Sequence, residues 1–123
     1  MTSEKKRQIV LVDDDSDIQD LVTAYFRPKN FDVTCYTDAQ DAIEASLVSG
    51  HEWDVMLTDF HFKKMSEMDF ADEIKKSLPN LPIILITPPE ASETAFEVIQ
   101  KGAYDLVFKP IQFQKLQASV NFF

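Results

Sequence analysis

A chain of 123 residues, 45% apolar and 27% charged, has the composition of one ordinary globular domain with room for a single core. A formal charge of −9 argues against direct nucleic-acid binding, which needs clustered Lys and Arg, and no apolar run approaches the roughly 20 residues of a membrane span. The start, MTSEKKRQ, leads only into IVLV, too short for a signal-peptide core, and the lone Cys35 leaves no disulfide framework, so the expected location is cytoplasmic.

The first element is QIVLV (8–12), a continuous apolar run that ends abruptly in Asp13, Asp14 and Asp15. Ile18, Leu21, Val22, Tyr25 and Phe26 then follow the i, i+3, i+4, i+7, i+8 spacing of a helix, which Pro28 halts. FDVTCY (31–36) alternates as an edge strand does. Asp38 is a candidate N-cap for a helix over 38–49, with Ala42, Ile43, Ala45 and Leu47 as apolar members. VMLT (55–58) is a second continuous run, ending at Asp59. A helix over 67–78 places Ala71, Ile74 and Leu78 on one face. PIILI (82–86) leads into Thr87, and 90–101 gives a helix with Ala91, Ala95, Val98 and Ile99. LVF (106–108) leads into Lys109, and a last helix from about 112 carries Phe113, Leu116, Val120 and Phe123. Only two glycines occur, Gly50 and Gly102, both at expected helix ends, so none remains for a phosphate-cradling loop or a dinucleotide fingerprint.

Strand and helix alternate five times, and continuous apolar runs mark strands buried on both faces. The expected fold class is therefore α/β, a doubly wound five-stranded parallel sheet with five helices. Such sheets bind ligands beyond the carboxyl ends of their strands. At those ends stand Asp13, Asp14 and Asp15, then Asp59, Thr87 and Lys109. Crowded carboxylates repel unless a cation joins them, and a hard, oxygen-seeking ion such as Mg²⁺ relieves that repulsion. Solvated strand ends are also often acidic, so the aspartates at 13–15 alone would mean little. The joint placement at successive strand ends carries more.

LVDDDS, DVMLTDF, IILIT and GAYDLVFKP together resemble the receiver domain of bacterial two-component response regulators, over essentially the whole chain. The spacings match that family: 45 residues from Asp14 to Asp59, 28 more to Thr87 and 22 more to Lys109. The resemblance implies a flavodoxin-like strand order 2-1-3-4-5 and a phosphoacceptor signalling domain rather than an enzyme acting on external substrates. It implies Asp59 as phosphoacceptor, with Thr87 and Lys109 on the phosphoryl oxygens. Mg²⁺ or Mn²⁺ would be held by Asp13, Asp14, Asp59 and the backbone carbonyl of His61. Asp15 is expected to cap the first helix or face solvent, and the Lys109–Pro110 bond is expected to be cis. The implied partners are a sensor histidine kinase or phosphotransfer protein and an effector domain C-terminal to this segment, such as a transcription regulator. A homodimer through the fourth helix, fifth strand and fifth helix is a further implied partner. Residues 1–123 are thus expected to be one receiver, the N-terminal part of a longer regulator.

Four positions depart from the pattern. Lys63 and Glu67 replace a usual proline and glycine after Asp59, Leu106 replaces an aromatic residue, and Pro88 stands where a backbone N–H normally donates to the phosphoryl group. Lys63, Pro88 and Leu106 support an alternative, a receiver that works as an interaction module without phosphorylation. A remoter alternative is a phosphatase with Asp13 as nucleophile, which would leave Asp59 idle. A calcium loop fails, since Ile18 and Ala24 stand where it needs glycine and glutamate.

Overall fold

The apolar runs become the strands of a single sheet. In the computed structural model, which describes residues 6–48, 52–59, 67–89, 97, 100 and 105–122, these are β1 (Arg7–Val12), β2 (Phe31–Tyr36), β3 (Val55–Asp59), β4 (Ile83–Thr87) and β5 (Asp105–Phe108). All pairings are parallel and the order is β2-β1-β3-β4-β5, the order expected. The described helices are α1 (Ser16–Phe26), α2 (Ala39–Ser46), α3 (Glu67–Ser77) and α4 (Phe113–Phe122). The helix expected over 90–101 lies outside the described residues except for Glu97 and Gln100, which are helical.

Period-two alternation along the strands divides the core in two. Val10, Val12, Met56, Ile83 and Leu85 face α2 and α3, packing with Ala42, Ile43, Phe70, Ala71 and Ile74. Ile9, Leu11, Val55, Leu57, Ile84 and Ile86 face α1 and α4, packing with Val22, Phe26, Leu116 and Val120. Helices therefore cover both faces, and the central strands are buried on both sides. β2, at the edge, alternates between buried Phe31 and Val33 and the more open Asp32 and Thr34.

Local signals set the helix ends. Asp15 caps α1, its Oδ1 accepting from the Asp17 N–H at 2.9 Å, and Asp38 caps α2 by accepting from the Gln40 N–H at 2.8 Å. Each such cap contributes about 1 kcal/mol. Pro28 turns the end of α1 into the short 3₁₀ segment Arg27–Lys29. Asn30 then takes φ 70°, a left-handed conformation its short amide side chain tolerates, to enter β2. Glu67 opens α3, at the start of the helix expected over 67–78.

Two apolar assignments need correction. Leu21 is 52% exposed, because Val22 and Phe26 centre the buried stripe of α1 about 120° away from it. Leu47 is 70% exposed, because α2 ends at Ser46 and releases it. The expected α3 face omitted Phe70, which is buried beside Ala71 and Ile74.

An aromatic and polar seam joins α1 to α4. The Tyr25 ring stacks on Phe113 at 5.0 Å, and its hydroxyl donates to Gln117 Oε1 at 2.7 Å. The Lys29 ammonium sits 3.8 Å over the same ring and donates to the Tyr25 carbonyl at 3.2 Å. Arg7 adds a bond from Nη1 to the Val120 carbonyl at 3.2 Å, tying β1 to the end of α4.

Candidate functional site

Strand register decides which residues meet at the carboxyl edge. Val12 pairs with Thr58, so Asp13 and Asp59 follow at one level on adjacent strands. Asp59 pairs with Ile86, one residue short of Thr87, and Thr87 pairs with Phe108, one residue short of Lys109. The Lys109 N–H donates to the Thr87 carbonyl at 2.8 Å, extending the ladder beyond β5. Four residues singled out in the sequence thus lie along one edge of the sheet by backbone position. The side chain of Asp59 lies outside the described residues, as do His61 and Lys63.

Asp13 is 1% exposed, although a carboxylate so placed is costly unless hydrogen bonds or charges compensate it. Its Oδ1 accepts from the Asp15 N–H at 2.9 Å, and its own N–H donates to the Tyr36 carbonyl at 3.0 Å. Its carbonyl accepts from Gln19 Nε2 at 2.7 Å, and that same nitrogen lies 3.4 Å from Thr37 Oγ1. Asp14 and Asp15 are exposed beside it. The loop is therefore held through main chain and side chain together. Nothing in the sequence flagged Gln19, a polar residue one turn into a helix whose reach back to residue 13 needs the folded loop.

Thr87 is fully buried, its hydroxyl donating to the Pro88 carbonyl at 3.2 Å. Pro88 is half-buried directly after it and has no N–H to offer a ligand. Lys109 is half-buried, and its bond to Pro110 is cis, as expected. Leu106 is half-buried against the α2–α3 side of the core. Thr58, buried in the strand just before Asp59, is a polar residue that sequence reasoning passed over.

Among the described residues no three His, Cys, Asp or Glu side chains gather as a metal cage. What the described donors offer is the chemistry of a partial site, with a buried carboxylate at Asp13 and a second, exposed one at Asp14. Hard oxygen donors at an acidic edge suit Mg²⁺ or Mn²⁺ and not a thiolate- or imidazole-seeking metal.

Other candidates separate from this edge. Cys35 is half-buried on β2 with Sγ 3.8 Å from Thr23 Oγ1, and burial pushes its thiol above the usual value, as suits a packing residue. Trp53 packs edge-on against Tyr36 at 6.0 Å, a structural role. A groove of about 500 Å³ runs between β5 and α4, with Asp105, Phe108, Lys109, Ser119 and Phe122 among its walls. Within it the Ser119 hydroxyl donates to the Asp105 carboxylate. No described helix is long and apolar enough to cross a membrane.

Comparison with known proteins agrees with this layout. The chain is 30% identical over 111 residues to the regulatory protein LuxO of Vibrio cholerae, covering 90% of this chain and 24% of that protein. It is 30% identical over 113 residues to the transcriptional regulatory protein ZraR of Escherichia coli K12, covering 92% of this chain and 25% of that protein. The chain thus spans about a quarter of the length of the curated relatives it matches. Among solved structures, a response regulator receiver domain protein from Clostridium thermocellum superimposes with a TM-score of 0.87 at 25% identity, covering 94% of this chain and 92% of that one. Residues 9–121 match the family described as response regulator receiver domain. With the parallel sheet in its 2-1-3-4-5 order and the acidic edge beyond it, the chain belongs to the response regulator receiver domain family.

Proposed function

We propose that this receiver accepts a phosphoryl group on Asp59 from a phosphohistidine of a sensor histidine kinase or phosphotransfer protein, in the cytoplasm. The observation that carries the reading is the register bringing residues 13, 59, 87 and 109 to one sheet edge. An Asp59 oxygen attacks phosphorus, an acyl-phosphate O–P bond forms, the P–N bond breaks, and the imidazole nitrogen leaves with the electron pair. Phosphoryl transfer demands in-line placement and neutralised equatorial oxygens more than covalent work by the protein. Thr87 and Lys109 contact those oxygens, the ammonium supplying charge and the hydroxyl a hydrogen bond. Asp13, Asp14, Asp59 and the His61 carbonyl would hold Mg²⁺ or Mn²⁺, which would supply the remaining countercharge.

The relatives LuxO and ZraR are regulatory proteins about four times the matched length, which supports residues 1–123 as the receiver part of a longer regulator with a C-terminal effector. The groove beside β5, with Phe122 82% exposed, supports this side as the surface for a second copy or an effector.

The test is the intact mass after incubation with Mg²⁺ and acetyl phosphate. A phosphoryl-sized gain that a chelator prevents is the expected result. No gain, together with no beryllofluoride binding, would sink the reading and leave the phosphorylation-independent interaction module, which Pro88 favours. Pro88 also sets a quantitative expectation. Pro88→Ala restores a backbone donor next to Thr87, and one hydrogen bond to a charged group is worth about 1.5–3 kcal/mol. Beryllofluoride should bind the variant roughly 10- to 100-fold tighter, and its phosphorylated form should last longer. Equal affinity and lifetime would show that position 88 does not face the phosphoryl group.

A further inference from the structure

β5 is an edge strand, and the groove of about 500 Å³ runs along it. Residues of a parallel strand turn their main-chain groups alternately to one neighbour and the other. The Lys109 N–H reaches the Thr87 carbonyl at 2.8 Å, so residues 105, 107 and 109 turn theirs to β4. The N–H and C=O groups of Leu106 and Phe108 therefore face outward, the kind of row on which a further strand pairs. The Leu106 N–H is already taken. It donates to the carboxylate of its own neighbour, Asp105 Oδ1, at 2.8 Å, and Oδ2 of that carboxylate accepts from the Ser119 hydroxyl of α4. Ser119 is buried, whereas Phe108, two residues farther along the strand than Leu106, is 44% exposed. One acidic side chain, fixed from the helix beside it, thus covers half of an otherwise open edge.

We infer that Asp105, held by Ser119, is an edge guard that keeps β5 from pairing with β5 of a second copy of this chain. A second copy is the occupant that the edge itself specifies. A two-fold axis through Val107 lays the strand antiparallel to itself, with Leu106 opposite Phe108 of the second copy, and in that register the outward groups of both strands match. Pairing then requires the Leu106 N–H to leave a charged acceptor in each copy. Such a hydrogen bond is worth about tenfold or more in an equilibrium, so two guards together weaken the pairing by about 100-fold. The inference does not rest on phosphoryl chemistry at Asp59.

The experiment is analytical ultracentrifugation of the full chain, without divalent metal or phosphodonor, combined with amide hydrogen exchange. Asp105→Ala should self-associate at concentrations about 100-fold lower than the wild type. As its dimer forms, the amides of Leu106 and Phe108 should gain protection. Asp105→Asn keeps an oxygen for the Leu106 N–H and should associate about tenfold more weakly than the alanine variant. Ser119→Ala releases only the far oxygen of the carboxylate and should strengthen association by about two- to fivefold. Wild-type behaviour in Asp105→Ala overturns the inference. Equal association of the alanine and asparagine variants also overturns it, because charge rather than the bond to Leu106 would then keep copies apart. A dimer whose Leu106 and Phe108 amides exchange as fast as in the monomer has formed through another surface, and that result overturns it too. Should Asp105→Ala fail to fold, unchanged association in Ser119→Ala overturns the inference instead.

Discussion

Asp59→Asn should show no phosphoryl mass gain under conditions in which the wild type is modified, a complete loss rather than a slowing. A carboxamide oxygen carries no charge and is a poor nucleophile, so the O–P bond cannot form at a useful rate. The backbone at position 59 pairs with Ile86 in the middle of the sheet, and asparagine makes the same main-chain hydrogen bonds, so the fold should persist. Exchanging one of several crowded carboxylates for a neutral group also removes repulsion at the acidic edge. The variant is therefore expected to melt no lower than the wild type, which separates lost chemistry from lost structure. A retained mass gain would move the nucleophile to another carboxylate, with Asp13 the first to examine by peptide mapping. That outcome would revive the reading in which Asp13 does the chemistry and Asp59 is idle.

Phe26→Ala should destabilise the chain by about 3–5 kcal/mol. Phe26 is fully buried and meets two rings edge-on, Tyr25 at 5.1 Å and Phe31 at 5.3 Å. Truncation removes that contact from the junction of α1, β2 and the α1–α4 side of the core, and the helix and strand cannot collapse fully into the space. Domains of this size are commonly stable by only about 5–15 kcal/mol, so the loss is a large fraction of the whole. Urea unfolding should show a much lower midpoint with little change in slope. Phe122→Ala is the control, since a side chain 82% exposed should cost at most about 0.5 kcal/mol. Similar losses at both positions would contradict the burial described for Phe26.

Much of the fold is written locally in the chain. Continuous apolar runs marked β1, β3 and β4 because strands covered on both faces need no polar alternation, and FDVTCY read as an edge because only one side of β2 is well covered. Asp15, Asp38 and Pro28 gave helix limits through hydrogen bonds that span only two residues or through a missing N–H. Strand order was different in kind. Nothing local states that β1 lies between β2 and β3, and the order came from family resemblance before the sheet bore it out. Leu21 and Leu47 misled because apolar residue type reports preference, while exposure depends on where a helix is centred and where it stops. At the candidate site the sequence yielded the residues at strand ends, since apolar runs broken by charge are visible in a list of letters. It did not yield Gln19, whose bond to the Asp13 carbonyl exists only once a helix has folded back on its own loop.

The sheet also acts as a partition. Among the described residues, the buried side chains that pack against α2 and α3 form one cluster and those that pack against α1 and α4 another. Volume changes on the two sides are thus separate engineering problems, and substitutions on opposite faces should combine additively where they touch no common neighbour. Asp13 continues the alternation of Ile9 and Leu11, and Thr87 that of Ile83 and Leu85, so the two belong to opposite compartments. A phosphoryl group bound at the carboxyl rim as proposed would lie beside both compartments and would couple two halves that otherwise vary independently.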